Sequence, residues 1–291
     1  MLLAALAYLL LGAAAPQTPP ATDRAGYEAY AVRFGILPAF SVAGLVSGAE
    51  RGRTLDIPVM VWLLKGSNGR QVLVDSGFHR QKFLDQWKPR DFRTPAAAVE
   101  AAGVKPEAVT DIIISHAHWD HVGGVDLFPK ATIWIQREEY RYYTGEAWFA
   151  RGTHGGVDAE DVQALLKANT EGRLRFVEGD DQEIIPGIRC YTGGRHTFAS
   201  QYVTARLRDS AASAGDAAAA ATVVLTSDNV YLYENLETRA AIAQTLDAAS
   251  NLKAQDRIRA LASNPRLIVP GHDPLVFERF ERVADGVVRI K

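Results

Sequence analysis

One hexapeptide constrains this chain more than any other feature. His116-Ala117-His118-Trp119-Asp120-His121 directly follows the apolar run 111–115, which is typical of a buried strand. In an extended chain alternate side chains point the same way, so His116, His118 and Asp120 share one side. If the chain then turns into a helix, His121 approaches them from the other side. The hexapeptide therefore predicts a cluster of metal ligands at the carboxyl end of a strand, where α/β proteins bind ligands.

The types of donor indicate which chemistry to expect. Imidazoles combined with carboxylates suit zinc and its neighbours, whereas calcium and magnesium prefer oxygen donors alone. The single cysteine, Cys190, excludes an internal disulfide and any multi-cysteine zinc or iron–sulfur site. Cys190 lies in a predicted strand, and we expect it to be a small core residue. The chain contains no Gly-x-Ser-x-Gly sequence, so a side-chain nucleophile is not required.

Three further candidate ligands follow later strands. They are His196, Asp228 and His272, and glycines precede both histidines. These glycines predict sharp backbone turns that bring the imidazoles back over the strand ends. Taken singly, each of the three fits a hydrogen-bonded loop residue as well as a ligand. Because the hexapeptide already points to one edge of the fold, we expect all three to meet it there.

Strand-like and helix-like segments alternate along the chain. Strands are predicted at 59–65, 71–74, 111–115, 131–135, 174–177, 184–191, 201–207, 222–226 and 267–269. Helices are predicted from Pro95 to Gly103, over 157–168 and over 239–262. The low-complexity segment 208–221 is expected to be a surface hairpin tip without function. Two strand-rich halves, each with its own helices, favour a layered α/β fold.

Composition excludes several other classes of protein. The 291 residues are 47% apolar and 23% charged, which excludes a disordered, collagenous or coiled-coil chain. The net charge is −2, and no run rich in Lys and Arg is present, so we expect no nucleic-acid partner.

The first residues differ from the rest of the chain. Residues 1–15 are uncharged, rich in Leu and Ala, and end in small residues. This pattern predicts a signal peptide at 1–18 and one mature domain at 19–291; the alternative is a membrane-anchored or mis-started N-terminus. No later stretch is apolar enough to span a bilayer, so no stable membrane insertion is expected after leader removal. We therefore expect an exported protein, periplasmic or secreted.

The full set of motifs resembles the metallo-β-lactamase superfamily over about 30–280. The resemblance rests on HxHxDH, the glycine-flanked His196, Asp228 and the Gly-His at His272. It implies an α/β fold, the αββα sandwich, with a binuclear metal site at one edge. It also implies that His116, His118 and His196 hold one metal, that Asp120, His121 and His272 hold the other, and that Asp228 bridges them. Arg195 departs from the family, whose members more often carry Gly before that histidine.

Electrostatics favour two metal ions over one. Two neighbouring dications repel strongly unless carboxylates compensate them, and Asp120 and Asp228 supply that compensation. With a bridging hydroxide, the small positive charge that remains suits an anionic tetrahedral intermediate. We therefore expect two divalent metal ions, zinc first, and attack by a metal-bridging hydroxide formed from a water whose pKa falls toward about 7.

The substrate class is predicted from one further residue. Tyr231 stands three positions after Asp228, which resembles the N-acyl-homoserine lactonases, the quorum-quenching members of the superfamily. In that family a Tyr at this offset assists the substrate carbonyl or the leaving oxygen. A phenol can donate to an oxyanion without adding charge, although Tyr231 could instead simply pack at the strand edge. Asp120 is the candidate acid for the leaving alkoxide. The expected partner is thus a small molecule with an apolar acyl part.

Two aromatic features have open interpretations. Tyr140, Tyr142, Tyr143, Trp148 and Phe149 precede the glycine-rich segment 152–156, and could form either an apolar lid or ordinary helix core. Trp119, inside the hexapeptide, could shape the site or pack in the core. His79 and His154 match no ligand position.

Other functions of the same fold compete with lactone hydrolysis. Cleavage of β-lactams, thioesters or phosphodiesters is the hydrolytic alternative, although β-lactamases generally lack the bridging Asp228. A mono-iron dioxygenase would use only two His and one Asp, so the second set of ligands disfavours it. Flavodiiron proteins usually carry Glu in place of His118, and a binding module would be expected to lose ligands. The sequence therefore favours a binuclear lactone hydrolase.

Overall fold

The structure, a computed structural model, describes residues 26–149, 154–208 and 220–291. The predicted signal peptide and most of the segment 208–221 lie outside these ranges. The strands are β1 Tyr27–Ser41, β2 Thr54–Gly66, β3 Gln71–Val74, β4 Asp111–Ile113, β5 Thr132–Gln136, β6 Leu174–Val177, β7 Gln182–Ile185, β8 Ile188–Thr192, β9 Gln201–Arg206, β10 Thr222–Ser227, β11 Ile268–Pro270, β12 Glu281–Ala284 and β13 Val287–Ile290. The helices are α1 Gln81–Trp87, α2 Pro95–Ala101, α3 Trp119–Val122, α4 Arg137–Thr144, α5 Ala159–Thr170, α6 Tyr233–Glu237, α7 Ala248–Leu261 and α8 Val276–Arg279. No helix within the described ranges has the length and apolar character needed to cross a membrane.

The strands of the described residues form two sheets that pack face to face. Their orders are β12-β13-β1-β2-β3-β4-β5-β6 and β11-β10-β9-β8-β7. Apolar side chains such as Trp62 and Val203 fill the layer between the sheets, and Cys190 is fully buried there, as predicted. Leu165 of α5 packs on the outer face of the larger sheet and Ile258 of α7 on that of the smaller. This layering confirms the αββα sandwich.

One edge of the sandwich collects the strand ends that matter for function. β10 is parallel to β11, and β8 and β10 are both antiparallel to β9, so β8, β10 and β11 all end at the same edge. The main chain after β4 is joined to the start of β9 there, because Gln201 N donates to Ser115 O at 2.8 Å and Gln201 Nε2 to Ile114 O at 2.7 Å. The loops that follow these strands therefore meet.

The structure differs from the sequence prediction in several segments. The single strand predicted at 184–191 is wrong, because Pro186-Gly187, with Gly187 at φ 81°, turns the chain between β7 and β8. The helix predicted over 239–262 begins only at Ala248, where the Asp247 side chain accepts a hydrogen bond from Ser250 N at 3.1 Å. The long strand β1, with two register shifts against β2, was not predicted.

Candidate metal centre

The structure brings together all seven donors named from the sequence. They come from four segments: the loop after β4 with α3, the β8–β9 loop, the end of β10 and the end of β11. Within each of two groups the donor atoms lie no more than 4.8 Å apart; the groups are His116, His118, His196 and Asp228, and Asp120, His121 and His272. These groups match the two ligand sets implied by the family resemblance.

The carboxylate of Asp228 lies between the two groups. Its Oδ2 is 3.2 Å from His196 Nε2 and 3.5 Å from His116 Nε2. Its Oδ1 is 3.1 Å from His272 Nε2 and 3.3 Å from His121 Nε2. Each oxygen therefore faces one set of imidazoles, which is the arrangement that a bridging ligand requires.

Hydrogen bonds to the outer ring nitrogens orient three of the imidazoles. Nδ1 of His121 donates to Asp75 Oδ2 at 2.8 Å, Nδ1 of His196 to the Gln244 carbonyl at 2.6 Å, and Nδ1 of His272 to the Pro58 carbonyl at 3.0 Å. With Nδ1 protonated in this way, Nε2 is left as a lone-pair donor directed at the centre.

The inward atoms fit metal ions. His116 Nε2, His121 Nε2 and Asp228 Oδ1 are buried and have no hydrogen-bond partner among the described residues. Buried polar atoms are ordinarily paired, so unpaired atoms that converge on one space indicate a missing cationic partner. Five imidazoles and two carboxylates form a donor set suited to two divalent ions such as zinc.

Charge in the centre also favours cations. Burial would raise the pKa of Asp228, but the imidazoles of His121 and His272 outweigh it and hold that pKa well below the ordinary value. Burial would lower the pKa of His121, but the carboxylates of Asp228 and Asp120 raise it well above the ordinary value. Burial, with His196 next, lowers the pKa of His118 to about 3. The carboxylates are thus ionised, and the field that attracts a proton to His121 attracts a metal as well.

Three of the eight described non-glycine residues with positive φ lie at this edge. Asp75, Arg195 and Ser227 all adopt positive φ, at 62°, 55° and 46°. Arg195 and Ser227 directly precede the ligands His196 and Asp228. A non-glycine residue in this region costs on the order of 1–3 kcal/mol and persists where its surroundings fix it, typically at functional sites. Arg195 therefore keeps a conformation that favours the glycine more usual in the family.

The glycines beside His196 and His272 have a second role that was not predicted. The chain bends at Gly194 and at Gly271, as predicted, although neither residue has a positive φ. A β-carbon on Gly271 would lie 2.8 Å from the Ser227 carbonyl oxygen, and one on Gly194 would overlap the backbone of Asn251. These positions need glycine because another segment approaches closely.

Two carboxylates near the centre were not predicted to be functional. Asp75 is fully buried and accepts hydrogen bonds from Ser115 N at 2.8 Å, Ser115 Oγ at 2.9 Å and Ser227 Oγ at 3.0 Å, besides the one from His121. Asp75 directly follows β3, a strand parallel to β4, and this position could have indicated that it lies near the centre. Glu139 on α4 is also fully buried, and its distance in sequence from every ligand gave no signal.

A cavity of about 180 Å³ opens beside the centre. Its polar side includes Asp120, Asp228, Tyr231 and His272. Its apolar wall is formed by Leu37, Phe40, Leu45, Ile57, Trp87 and Trp119. The rings of Trp87 and Trp119 stack at 5.6 Å and 8°, so Trp119 both shapes the cavity and packs against its neighbours.

Tyr231 lies at the floor of this cavity. The side chain is 4% exposed, and its hydroxyl is 3.5 Å from His196 Nδ1. Burial, with the nearby carboxylates of Asp228 and Asp120, raises the pKa of Tyr231 well above its ordinary value. The phenol therefore keeps its proton at neutral pH and can act as a hydrogen-bond donor.

The aromatic residues before the glycine-rich segment do not form the apolar wall. Tyr140 and Tyr143 are buried on α4, and Tyr142 stacks on Phe198 at 4.0 Å, which supports the interpretation as core. Trp148 packs against His154, and Phe149 is 87% exposed. Of segment 152–156, the structure describes only the last three residues, and Gly156 reaches the cavity.

The two remaining histidines lie outside the centre. His79 Nε2 pairs with Asp126 Oδ1 at 3.0 Å, and the ring of His154 lies on Trp148. Neither belongs to either donor group among the described residues.

Comparison with known proteins identifies the family of the fold. Residues 55–272 match the Metallo-beta-lactamase superfamily. An N-acyl homoserine lactonase of Bacillus cereus is 29% identical over 237 residues, which cover 76% of this chain and 84% of that protein. The N-acyl homoserine lactonase AttM of Rhizobium johnstonii is 24% identical over 248 residues, covering 80% and 89%.

Solved structures have the same fold. A variant of B. thuringiensis AiiA with N-decanoyl-L-homoserine bound at the active site superposes with a TM-score of 0.68 at 23% identity, covering 88% of this chain and 97% of that one. AidC, a dizinc quorum-quenching lactonase in complex with a product, superposes with a TM-score of 0.61 at 15% identity, covering 87% and 92%.

Proposed function

This chain belongs to the metallo-beta-lactamase superfamily, and on that premise we propose that it is a binuclear metal-dependent hydrolase of N-acyl-homoserine-type lactones. One observation carries the proposal. The seven candidate metal donors and Tyr231 lie together beside a cavity that has an apolar wall. The relatives named as N-acyl homoserine lactonases support it.

Seven side chains would hold the two metal ions. His116, His118 and His196 would hold one, Asp120, His121 and His272 the other, and Asp228 would bridge them. Such ions would supply Lewis acidity toward the ester carbonyl and would lower the pKa of water at the centre toward about 7, so that this water could act as the nucleophile.

Tyr231 and Asp120 perform the remaining steps. As water adds to the carbonyl carbon, negative charge develops on the carbonyl oxygen, and the neutral phenol of Tyr231 donates a hydrogen bond to it. Although burial opposes it, the imidazole of His121 lowers the pKa of Asp120, so this carboxylate is ionised and can accept the proton that the water loses. It then delivers that proton to the ring oxygen as the carbon–oxygen bond breaks, giving a carboxylic acid and a free hydroxyl, and the acid releases its remaining proton to solvent at neutral pH.

The cavity determines how a substrate lies. A lactone ring placed against Asp120 and Tyr231 leaves the acyl group along the aromatic wall of Phe40, Trp87 and Trp119. Burying each methylene of that group contributes about 0.8 kcal/mol. The apolar wall is thus suited to an acylated lactone more than to a small polar ester.

A substrate panel tests the proposal. The purified chain, loaded with zinc, manganese or cobalt, is assayed on acyl-homoserine lactones, a β-lactam, a thioester and a phosphodiester, with Asp228→Ala as the inactive control. We expect the highest kcat/KM on the lactones and none in the control. A higher kcat/KM on another class would replace the lactonase by that hydrolase, and activity that needs only one iron would indicate a dioxygenase.

The location of the enzyme is a separate proposal. From the apolar, uncharged residues 1–15 we propose that the chain is exported to the periplasm or the medium. N-terminal sequencing of the protein from each cell fraction tests this. A mature N-terminus near residue 19 in the exported fraction is expected, and an intact N-terminus in the cytoplasm would contradict it.

A further inference from the structure

Glu139 connects two ligand loops that are far apart in sequence. It lies on α4, is fully buried, and its carboxylate accepts three hydrogen bonds. Oε1 accepts from Ala117 N at 2.9 Å and from Thr197 Oγ1 at 2.6 Å, and Oε2 accepts from Ala199 N at 2.6 Å. No other helix of the described residues reaches both loops through a single side chain.

These contacts flank one group of ligands only. Ala117 stands between His116 and His118, and Thr197 directly follows His196. The second group is oriented by other residues: His121 by Asp75 and His272 by the Pro58 carbonyl. Asp75 also reaches the first group through Ser115 and Ser227, whereas Glu139 contacts only segments that carry the first group.

We propose that Glu139 is a positioning residue for the metal held by His116, His118 and His196. A buried carboxylate with three donors fixes both loops in one relative position, and such outer contacts to metal ligands are typically worth 10–100-fold in metal affinity. Without the carboxylate, the two loops would keep the Gln201 contacts to Ile114 and Ser115 but lose the anchor at Ala117 and Thr197, so the three imidazoles would be less well aligned. The inference rests on the metal centre of the proposed function but not on its substrate.

Glu139→Gln tests the inference with little change in shape. An amide offers only one acceptor oxygen. Its NH₂ group would therefore face either the N–H of Ala199 or the donors of Ala117 and Thr197. The matched control is Glu138→Gln, since Glu138 is the exposed neighbour, paired at 3.2 Å with Arg141 on the surface. Zinc dissociation constants are measured on the metal-loaded full chain by competition with a chromogenic chelator, alongside thermal unfolding of the metal-free form.

We expect Glu139→Gln to weaken binding of one zinc ion per chain by about 10–100-fold, while the other zinc ion and Glu138→Gln behave as wild type. The loss should persist in a His272→Ala background, which damages the second site, and vanish in a His196→Ala background. If Glu139→Gln does not fold, Thr197→Val, which removes only one of the three donors, should show a smaller loss in the same direction.

Two results separate the possible failures. Unchanged affinity for both zinc ions in Glu139→Gln, with only the metal-free unfolding temperature lowered, would reduce Glu139 to a structural role and overturn the inference. A wild-type chain that binds no zinc would contradict the metal centre itself, and with it the proposed function.

Discussion

Asp75 Oδ2 lies 2.8 Å from His121 Nδ1, so a buried carboxylate at the end of β3 fixes the ring of a candidate metal ligand on α3. The same carboxylate accepts hydrogen bonds from Ser115 and Ser227, which precede the ligands His116 and Asp228. One side chain thus fixes the relative positions of three segments that carry candidate ligands, because each segment donates a hydrogen bond to it.

Asp75→Asn is expected to weaken metal binding by about 10–100-fold, since an amide cannot accept from all of these donors. Competition with a chelator measures the change. The matched control is Asp126→Asn, which breaks the Asp126–His79 pair at the surface and should leave metal affinity unchanged. Equal effects of the two variants would mean that Asp75 does not act through His121.

Tyr231→Phe is expected to lower kcat on acyl-homoserine lactones by about 10–1,000-fold, because one donor to the developing oxyanion is lost. Steady-state kinetics and metal analysis of the same sample check this, and metal content should not change. Tyr233→Phe removes the hydroxyl of another buried tyrosine, which does not line the cavity, and serves as the control. Unaltered turnover in Tyr231→Phe would remove the main support for the lactonase assignment.

Trp87→Ala is expected to reduce kcat/KM for long-chain lactones about tenfold, equivalent to about 1.4 kcal/mol of lost contact, and to affect short-chain lactones much less. The reason is that Trp87 contributes to the apolar wall but is not itself one of the metal donors. Trp148→Ala, outside the cavity, is the control. A uniform loss across chain lengths would show that the acyl group lies elsewhere.

Removal of the metals is expected to destabilise the fold, because the centre then buries ionised carboxylates without their cations. At free zinc 100 times its dissociation constant, one bound ion contributes about 2.7 kcal/mol to the free energy of unfolding. Unfolding temperatures with zinc and with a chelator measure the difference. Asp228→Ala should respond less to zinc than the wild type, and an identical response would contradict the bridging role.

The sequence was sufficient to name the donors that the structure brings together, because four of them share one hexapeptide and the rest follow strands that end at one edge. The sequence was less informative where contacts between distant segments determine the local structure. The helix predicted over 239–262 begins only at Ala248, because residues in the segment 239–247 contact other parts of the fold. The Gln244 carbonyl, for example, accepts a hydrogen bond from His196. Glu139 could not be found from spacing, since its role depends on where α4 lies against loops from both sheets.

The glycines illustrate the same limit. The glycines beside His196 and His272 were visible in the sequence, but the close packing that requires glycine there was not. Close approach of Gly194 to Asn251 and of Gly271 to Ser227 exists only once the loops are assembled. Likewise, a lid formed by the residues near Trp148 was one of two open interpretations, and the apolar wall of the cavity comes instead mainly from β1, β2 and α1, because the fold places those elements beside the centre.

The metal content of the purified full chain, determined by elemental analysis after zinc loading and gel filtration, tests the central claim most directly. The account predicts two zinc ions per chain in the wild type and fewer in Asp228→Ala, with lactone hydrolysis lost in that variant. A reproducible value of one metal ion per chain in the wild type, or full occupancy and unchanged turnover in Asp228→Ala, would contradict it.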